Sequence, residues 1–142
     1  MFKKTITYKD WNGVERTEEF RFHLSRTELE LLNARTPGGL FNYMKSCYDA
    51  MDIPKMTDFF VNLILKSYGE VSQDGRRFMK KDAEGNDLAE AFAETPAFDV
   101  IFQWLYNEKG AIKEFMVGTF PEDVRQTIIE AFEDNPVLSA EK

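Results

Sequence analysis

The sequence predicts a mainly α-helical fold, a small helical bundle that carries an N-terminal β-hairpin and is therefore of the α+β class. Three observations predict it. Apolar and polar side chains alternate with a period of two over 2–24, which is typical of half-buried strands. Beyond residue 25, apolar side chains recur every three or four residues, which is typical of amphipathic helices. Capping residues, prolines and glycines separate these helical stretches.

The hairpin loop follows from the parity of its two strands. The apolar side chains of both strands stand at even positions: Phe2, Ile6, Tyr8, Val14, Phe20, Phe22 and Leu24. A two-residue turn at Asn12-Gly13 would set Ile6 opposite Glu19 and mix the apolar face of one strand with the polar face of the other. A three-residue loop, Trp11-Asn12-Gly13, keeps even opposite even and needs a positive φ at Gly13. We predict this loop.

Three helices are expected before residue 68. Ser25 and Glu28 form a capping box that begins the first helix, and the Pro-Gly-Gly stretch after Thr36 ends it. The second runs from about Leu40 to Met51. The third runs from about Lys55 to Ser67 and is apolar nearly all round, which predicts a position in the middle of the bundle.

A polar interval follows the third helix. Tyr68-Gly69 is expected to cap that helix at its C-terminus. Ser72–Asn86 has little periodicity, so we predict an ordered or mobile connector that is briefly extended at Arg77–Met79. Asn86 or Asp87 then caps a short helix.

The remaining elements are helices as well. Thr95-Pro96 begins one, because proline is well tolerated at the first helical position. Its expected core stripe is Phe98, Ile101, Phe102 and Leu105. A short apolar face follows Gly110, and Phe120-Pro121 opens a final helix. The inward side chains of that final helix are expected to be Val124, Ile128, Ala131 and Phe132.

Length and composition favour one domain. The 142 residues are 43% hydrophobic and include 13 phenylalanines, enough apolar surface for one sizeable core. We expect a single domain over 1–135, with the hairpin at about 2–24, the helical body at about 25–133 and a frayed tail at 136–142.

Charge, hydropathy and cysteine content limit the kinds of partner and the cellular compartment that we expect. A net charge of −7 argues against nucleic-acid binding, which needs clustered cations to neutralise phosphates. The longest nearly apolar run, Phe59–Leu65, is much shorter than the roughly 20 residues that span a bilayer, so no membrane segment is expected. The single cysteine, Cys47, cannot form an internal disulfide, which favours a cytosolic protein.

No residue pattern indicates an enzyme, a metal site or a cofactor site. His23 stands at the polar parity of a strand without a second ligand at metal-binding spacing. Cys47 lies on the apolar stripe of a predicted helix, which is typical of a small core residue. Gly69 and Gly75 lack the context of a phosphate-binding loop.

Two groups of side chains are candidates for partner binding. The segment after Gly75 carries Arg76, Arg77, Lys80 and Lys81 around Phe78. It either docks an acidic partner or is a solvated connector that Phe78 anchors to the core. The second candidate is an exposed apolar patch, formed by Val100, Trp104 and Tyr106 on the helix that Pro96 begins.

The passage Ile64–Lys81, which joins a helix end through Ser-Tyr-Gly to Asp-Gly-Arg-Arg-Phe, resembles the tail assembly chaperones of long-tailed, siphovirus-type bacteriophages of Gram-positive hosts. The similarity extends almost end to end through the hairpin with its aromatic-Asn-Gly turn, the helical body and the acidic C-terminus. The similarity lies in the order of these segments and in their short sequence motifs, and it includes no catalytic signature.

The resemblance implies a non-enzymatic factor in the cytoplasm of the infected or lysogenic host, absent from the mature virion. Its partners would be the phage tape measure protein, the tail tube protein and a C-terminally extended frameshift form of the same chain. The surplus of aromatic residues adds the expectation of a homo-oligomer. The alternative is a structural tail or connector subunit that stays in the virion and whose hairpin adds strands to its neighbours.

Overall fold

The computed structural model describes residues 1–134, and the predicted frayed tail at 136–142 lies outside them. In this part of the chain, the strands are β1 (Phe2–Lys9), β2 (Glu15–Phe22), β3 (Tyr68–Val71) and β4 (Phe78–Met79). The helices are α1 (Arg26–Arg35), α2 (Leu40–Asp49), α3 (Ile53–Ser67), α4 (Leu88–Ala93), α5 (Pro96–Asn107), α6 (Ala111–Thr119) and α7 (Arg125–Asp134). A single 3-10 turn, Glu122–Val124, precedes α7.

The hairpin has the predicted loop and register. Phe2 pairs with Phe22 and Ile6 with Glu18, so even positions face even positions. The Asp10 amide donates to the Val14 carbonyl at 2.9 Å, and Gly13 has a φ of 78°. The parity argument is thus confirmed, although Val14 itself is exposed, because all of residues 11–17 lie on the exposed loop end of the hairpin.

The predicted caps are also present. The Ser25 hydroxyl accepts from the Glu28 amide at 3.1 Å, and the Glu28 carboxylate accepts from the Ser25 amide at 2.9 Å. Asp87, and not Asn86, caps α4 through bonds from the Ala89 and Glu90 amides. These bonds satisfy backbone donors that have no partner within the helix.

The end of α3 differs in part from the prediction. Tyr68 is the C-cap of α3, as predicted, and its amide donates to the Ile64 carbonyl. The cap is extended, however, and Gly69 is not left-handed, because Tyr68-Gly69 also begins a strand. Strand β3 pairs antiparallel with β2 on one side and with β4 on the other, in the order β1-β2-β3-β4. The hairpin is therefore half of a four-stranded antiparallel sheet, and the fold is more mixed α+β than the sequence indicated.

The connector is ordered by two hydrogen-bonded turns. The Ser72 hydroxyl and the Asp74 carboxylate hold the first, which joins β3 to β4. The Asp82 carboxylate holds the second by accepting from the amides of Glu84 and Asn86 at 3.0 and 2.8 Å. Of the two predicted alternatives, the structure has the ordered one, and the extended stretch at Phe78–Met79 is real.

Aromatic rings from the sheet and the helices make up much of the core. Phe22 is fully buried and contacts the rings of Phe2, Phe92 and Phe115, each within 6.3 Å between centroids. The predicted stripe of α5 holds for Ile101 and Leu105, which are buried, whereas Phe98 and Phe102 are half-buried. In the final helix, Ile128 and Phe132 are buried, whereas Val124 and Ala131 are half-buried.

Helix α3 is not surrounded on all sides, contrary to the prediction. Its buried side chains, Phe60, Leu63, Ile64 and Ser67, occupy one face. Phe59 and Leu65, on other sides of the helix, are only half-buried. One flank of this apolar helix therefore lies at the surface.

Candidate partner-binding groove

An open groove of about 1090 Å³ lies between α1, α3 and α4. Its floor is formed by α3, where the half-buried Phe59 stands one turn before the buried Leu63, at the edge between the buried face and the open flank. The Tyr43 ring of α2 also lines the groove and packs 6.0 Å from the ring of Phe59. The exposed flank of α3 is thus the bottom of a groove wide enough to admit side chains of another protein.

Helix α1 forms one wall, which is apolar at its centre and carries Glu28 and Arg35 at its two ends. Leu31 is 48% exposed to solvent, and Leu32 beside it is half-buried. Leu29 is the buried residue by which α1 is attached to the core. An exposed leucine is common by itself, but one that continues the apolar floor of a groove is typical of a binding surface.

Helix α4 forms the opposite wall, which is small and acidic. Ala89 and Ala93 keep this wall low, and Asp87, Glu90 and Glu94 stand along it. The Asp87 carboxylate is occupied by capping α4. Within residues 1–134, Glu90 and Glu94 take part in no ion pair that the structure records, so their charges are available to a partner.

Lys80 closes one end of the groove and is held inside the fold. Its ammonium donates to the carbonyls of Lys66, Tyr68 and His23 at 2.8, 3.1 and 3.4 Å, and lies 3.9 Å from the Glu28 carboxylate. Burial lowers the pKa of Lys80, against the opposing effect of Glu28. Lys80 joins the end of α3 to the sheet, so its charge is already used within the chain.

The other residues of the predicted basic site lie away from the groove. Arg76 and Arg77 are exposed in the turn between β3 and β4, without an ion pair in the described part of the chain. Phe78 is half-buried with its ring edge-on to that of His23, 6.1 Å between centroids. Phe78 therefore packs against the sheet and does not join the hydrophobic core, contrary to the prediction. The partner role of the two arginines stays a prediction.

The predicted apolar patch on α5 is not continuous. Trp104 is half-buried and stacks on Phe2 of β1, with centroids 5.5 Å apart, while the Lys4 ammonium lies 4.2 Å from its ring centre. Tyr106 stacks on Phe102, which places it on another side of α5, and is 38% exposed, as is Val100. Strand β1 of the hairpin covers the side of α5 that was predicted to be exposed, so these side chains do not form one exposed patch.

His23 and Cys47 have structural surroundings. Cys47 is buried on α2, and burial together with the nearby N-terminal amine lowers the pKa of the half-buried His23. Among residues 1–134 there is no group of three His, Cys, Asp or Glu side chains that is arranged to hold a metal ion. In the same residues, no helix has the length and apolarity to cross a bilayer.

A second cleft, of about 880 Å³, lies where β2 and β3 diverge beside α4. Its polar groups bind one another: the Tyr8 hydroxyl donates to Glu18, and the Tyr68 hydroxyl donates to Glu70 at 3.3 Å. Because these groups are paired within the chain, the cleft offers a partner fewer free polar groups than the larger groove does.

Of the seven residues predicted as a partner site, Lys80 lines the groove. The groove residues that sequence reasoning missed include Leu31, Phe59, Glu90 and Glu94. A signal for them existed: α1 and α3 carry more apolar side chains than one buried face requires. We interpreted that surplus on α3 as full burial, whereas the structure leaves one flank open.

Comparison with known proteins identifies the family. A family model described as phage tail assembly chaperone matches residues 1–141, nearly the entire chain. No curated protein and no solved structure matches the chain. The chain belongs to the phage tail assembly chaperone family.

Proposed function

We propose that this protein is a non-enzymatic chaperone that binds the phage tape measure protein and helps to recruit tail tube subunits during tail assembly. The groove between α1, α3 and α4 carries the proposal, because it leaves Leu31 and Phe59 available to an apolar helix of a partner. Helix-in-groove binding of this kind uses apolar side chains at three- and four-residue spacing.

The physical reasoning concerns solubility. A long helical protein that presents apolar stripes aggregates unless they are covered, and many small domains cover them reversibly when each binds weakly. The net charge of −7 on each copy keeps such a coated complex in solution. Once tail tube subunits replace the chaperones, the weak individual contacts allow release.

The site of action and the other partners are part of the proposal. We place the protein in the cytoplasm of the infected or lysogenic bacterial host and not in the mature virion of a siphovirus-type phage of a Gram-positive host. A C-terminally extended frameshift form of the same chain and further copies of the chain itself complete the set of partners. Family membership supports this assignment, since assembly chaperones act before the particle is finished.

Co-expression with the tape measure protein of the same phage tests the proposal. We expect a pull-down to recover a soluble complex, and size-exclusion light scattering to give many copies of this chain for each tape measure molecule. Mass spectrometry of purified virions should not detect the chain.

The opposite pattern supports the structural alternative. A chain that does not bind the tape measure protein and is present in mature particles is a tail or connector subunit, whose unpaired β1 edge offers a site for strand addition.

A further inference from the structure

We infer that the groove selects a helix with two adjacent faces, an apolar face against α1 and α3 and a basic face against α4. This inference rests on the proposed function and specifies the chemistry of the partner segment. It follows from the unequal walls of the groove, which differ in charge as well as in apolarity.

The apolar half of the groove determines one face of the ligand. Leu31 and Leu32 stand on one wall, and Phe59 and Leu63 on the floor. Because Leu31 is 48% exposed and Phe59 and Leu32 are half-buried, a docked apolar side chain removes additional surface from water on both elements. An α-helix with apolar residues at i, i+4 and i+7 fits this requirement.

The acidic half determines the neighbouring face. From its N-cap Asp87 to its C-cap Glu94, the α4 segment carries three carboxylates and no basic residue. The basic side chains that line the groove lie elsewhere: Arg35 on α1, Lys66 on α3 and Lys80 after β4. Of the other carboxylates that line the groove, Glu28 lies 3.9 Å from the Lys80 ammonium, whereas Asp58 on α3 has no recorded ion pair within residues 1–134. A partner helix in the groove therefore meets uncompensated negative charge along α4 and at Asp58.

The spacing of the carboxylates sets the spacing of the expected cations. Asp87, Glu90 and Glu94 follow i, i+3 and i+7 and extend over about 10 Å at 1.5 Å per residue. Since Asp87 is used as the cap, Glu90 and Glu94 are the principal charges. A partner helix with Lys or Arg at i and i+4, beside its apolar stripe, pairs with both of them.

A second copy of this chain is a poor match for this groove. The chain has a net charge of −7, and none of its helices in the described residues carries basic side chains at i and i+4. The charge on α4 therefore favours a different, basic partner over self-association at this site.

The test uses charge reversal with a matched control. The groove variant is Glu90→Lys with Glu94→Lys, and the control is Glu108→Lys with Glu114→Lys, both exposed and outside the groove. Each pair changes the net charge from −7 to −3, because two Glu-to-Lys replacements add four charges. Circular dichroism verifies that both variants are folded.

The probes are the full-length tape measure protein of the same phage and labelled peptides of about 20 residues that tile it, a length of about 30 Å as a helix. We expect the tightest peptides to carry a basic stripe beside an apolar one. The groove variant should bind them about tenfold or more weakly, and the control variant within about twofold of the wild type.

Two further comparisons test the apolar face with a second pair of variants and test the acidic face in the unmodified protein, where misfolding of a variant plays no part. Leu31→Ser should weaken binding, whereas Met51→Ser, which alters a more exposed apolar residue outside the groove, should not. For the unmodified protein, raising salt from roughly 50 to 500 mM should weaken binding of the basic peptides by screening the α4 charges.

The outcomes separate the two proposals. If wild-type protein does not bind the full-length tape measure protein, the proposed function fails and this inference fails with it. If wild-type protein binds but the groove and control variants bind equally well, or if the preferred peptides lack a basic face, the inference is overturned while the proposed function stands.

Discussion

Gly69 determines whether β4 can lie against β3, and replacing it with alanine tests this directly. An added Cβ would lie 2.6 Å from Cε2 of Phe78 and 2.8 Å from the carbonyl oxygen of Met79. Ordinary carbon contacts are about 3.5–4.0 Å, so the overlap is close to 1 Å. The oxygen belongs to the backbone of the paired strand and cannot move without displacing β4.

We expect Gly69→Ala to lower the free energy of unfolding by about 3 kcal/mol, the upper part of the range for overpacking, because a backbone atom is involved. This is a large fraction of the roughly 5–15 kcal/mol that stabilises an ordinary domain. Urea unfolding followed by circular dichroism measures the difference. The slope with urea should be unchanged if the native state remains compact.

Two companion variants isolate the cause. Gly75→Ala should cost about 1–2 kcal/mol, because Gly75 has a φ of 75° but nothing within 4 Å of the added Cβ. In a Phe78→Ala background, Gly69→Ala should cost less than in the wild type but still lose stability, since the Met79 oxygen remains. A Gly69→Ala protein within about 0.5 kcal/mol of wild type would refute the close approach of the two strands.

Three other residues allow further predictions. Met51 has a φ of 52° and is 76% exposed, so Met51→Gly should relieve backbone strain and stabilise the protein by up to about 1 kcal/mol, whereas Met51→Val should destabilise it, as measured by urea midpoints. Lys80→Met leaves three carbonyls without their donor and should cost about 1–3 kcal/mol in the same assay, while Lys81→Met, at an exposed neighbour, should change stability by less than about 0.5 kcal/mol. Because burial lowers the pKa of His23 in the folded state, the unfolded chain binds more protons between that pKa and the ordinary value of 6.5, so stability should be lost as the pH falls through this window. Unfolding of wild type and His23→Gln at pH 7.5 and about 5.5 checks this, and an equal loss in both proteins would contradict it.

Local signals made much of the fold predictable. Ser25 with Glu28, and Asp87 before α4, satisfy helix ends within a few residues, so their sequence patterns are sufficient. The hairpin loop was predictable because a shift of one residue reverses every side chain between the two faces of a strand. These features depend on contacts between near neighbours in the chain.

The sheet beyond the hairpin was not predictable in the same way. Tyr68-Gly69 has the composition of a helix cap, and nothing nearby indicates that β2, more than forty residues earlier, pairs with it. The pairing of β3 overrides the local preference because it also brings Tyr68 onto Phe92, with their rings stacked 4.2 Å apart. The same limit applies to Trp104, whose partner Phe2 stands at the other end of the sequence.

The sequence by itself determined the helical character, the caps, the hairpin register and a resemblance to the family that the chain belongs to. Only the tertiary structure decided that Lys80 is internal, that the α5 patch is divided, and that α1, α3 and α4 leave a groove between them. The reason is physical: caps and strand parity arise from neighbours along the chain, whereas a groove is the space left between elements that are distant in sequence and meet only on folding.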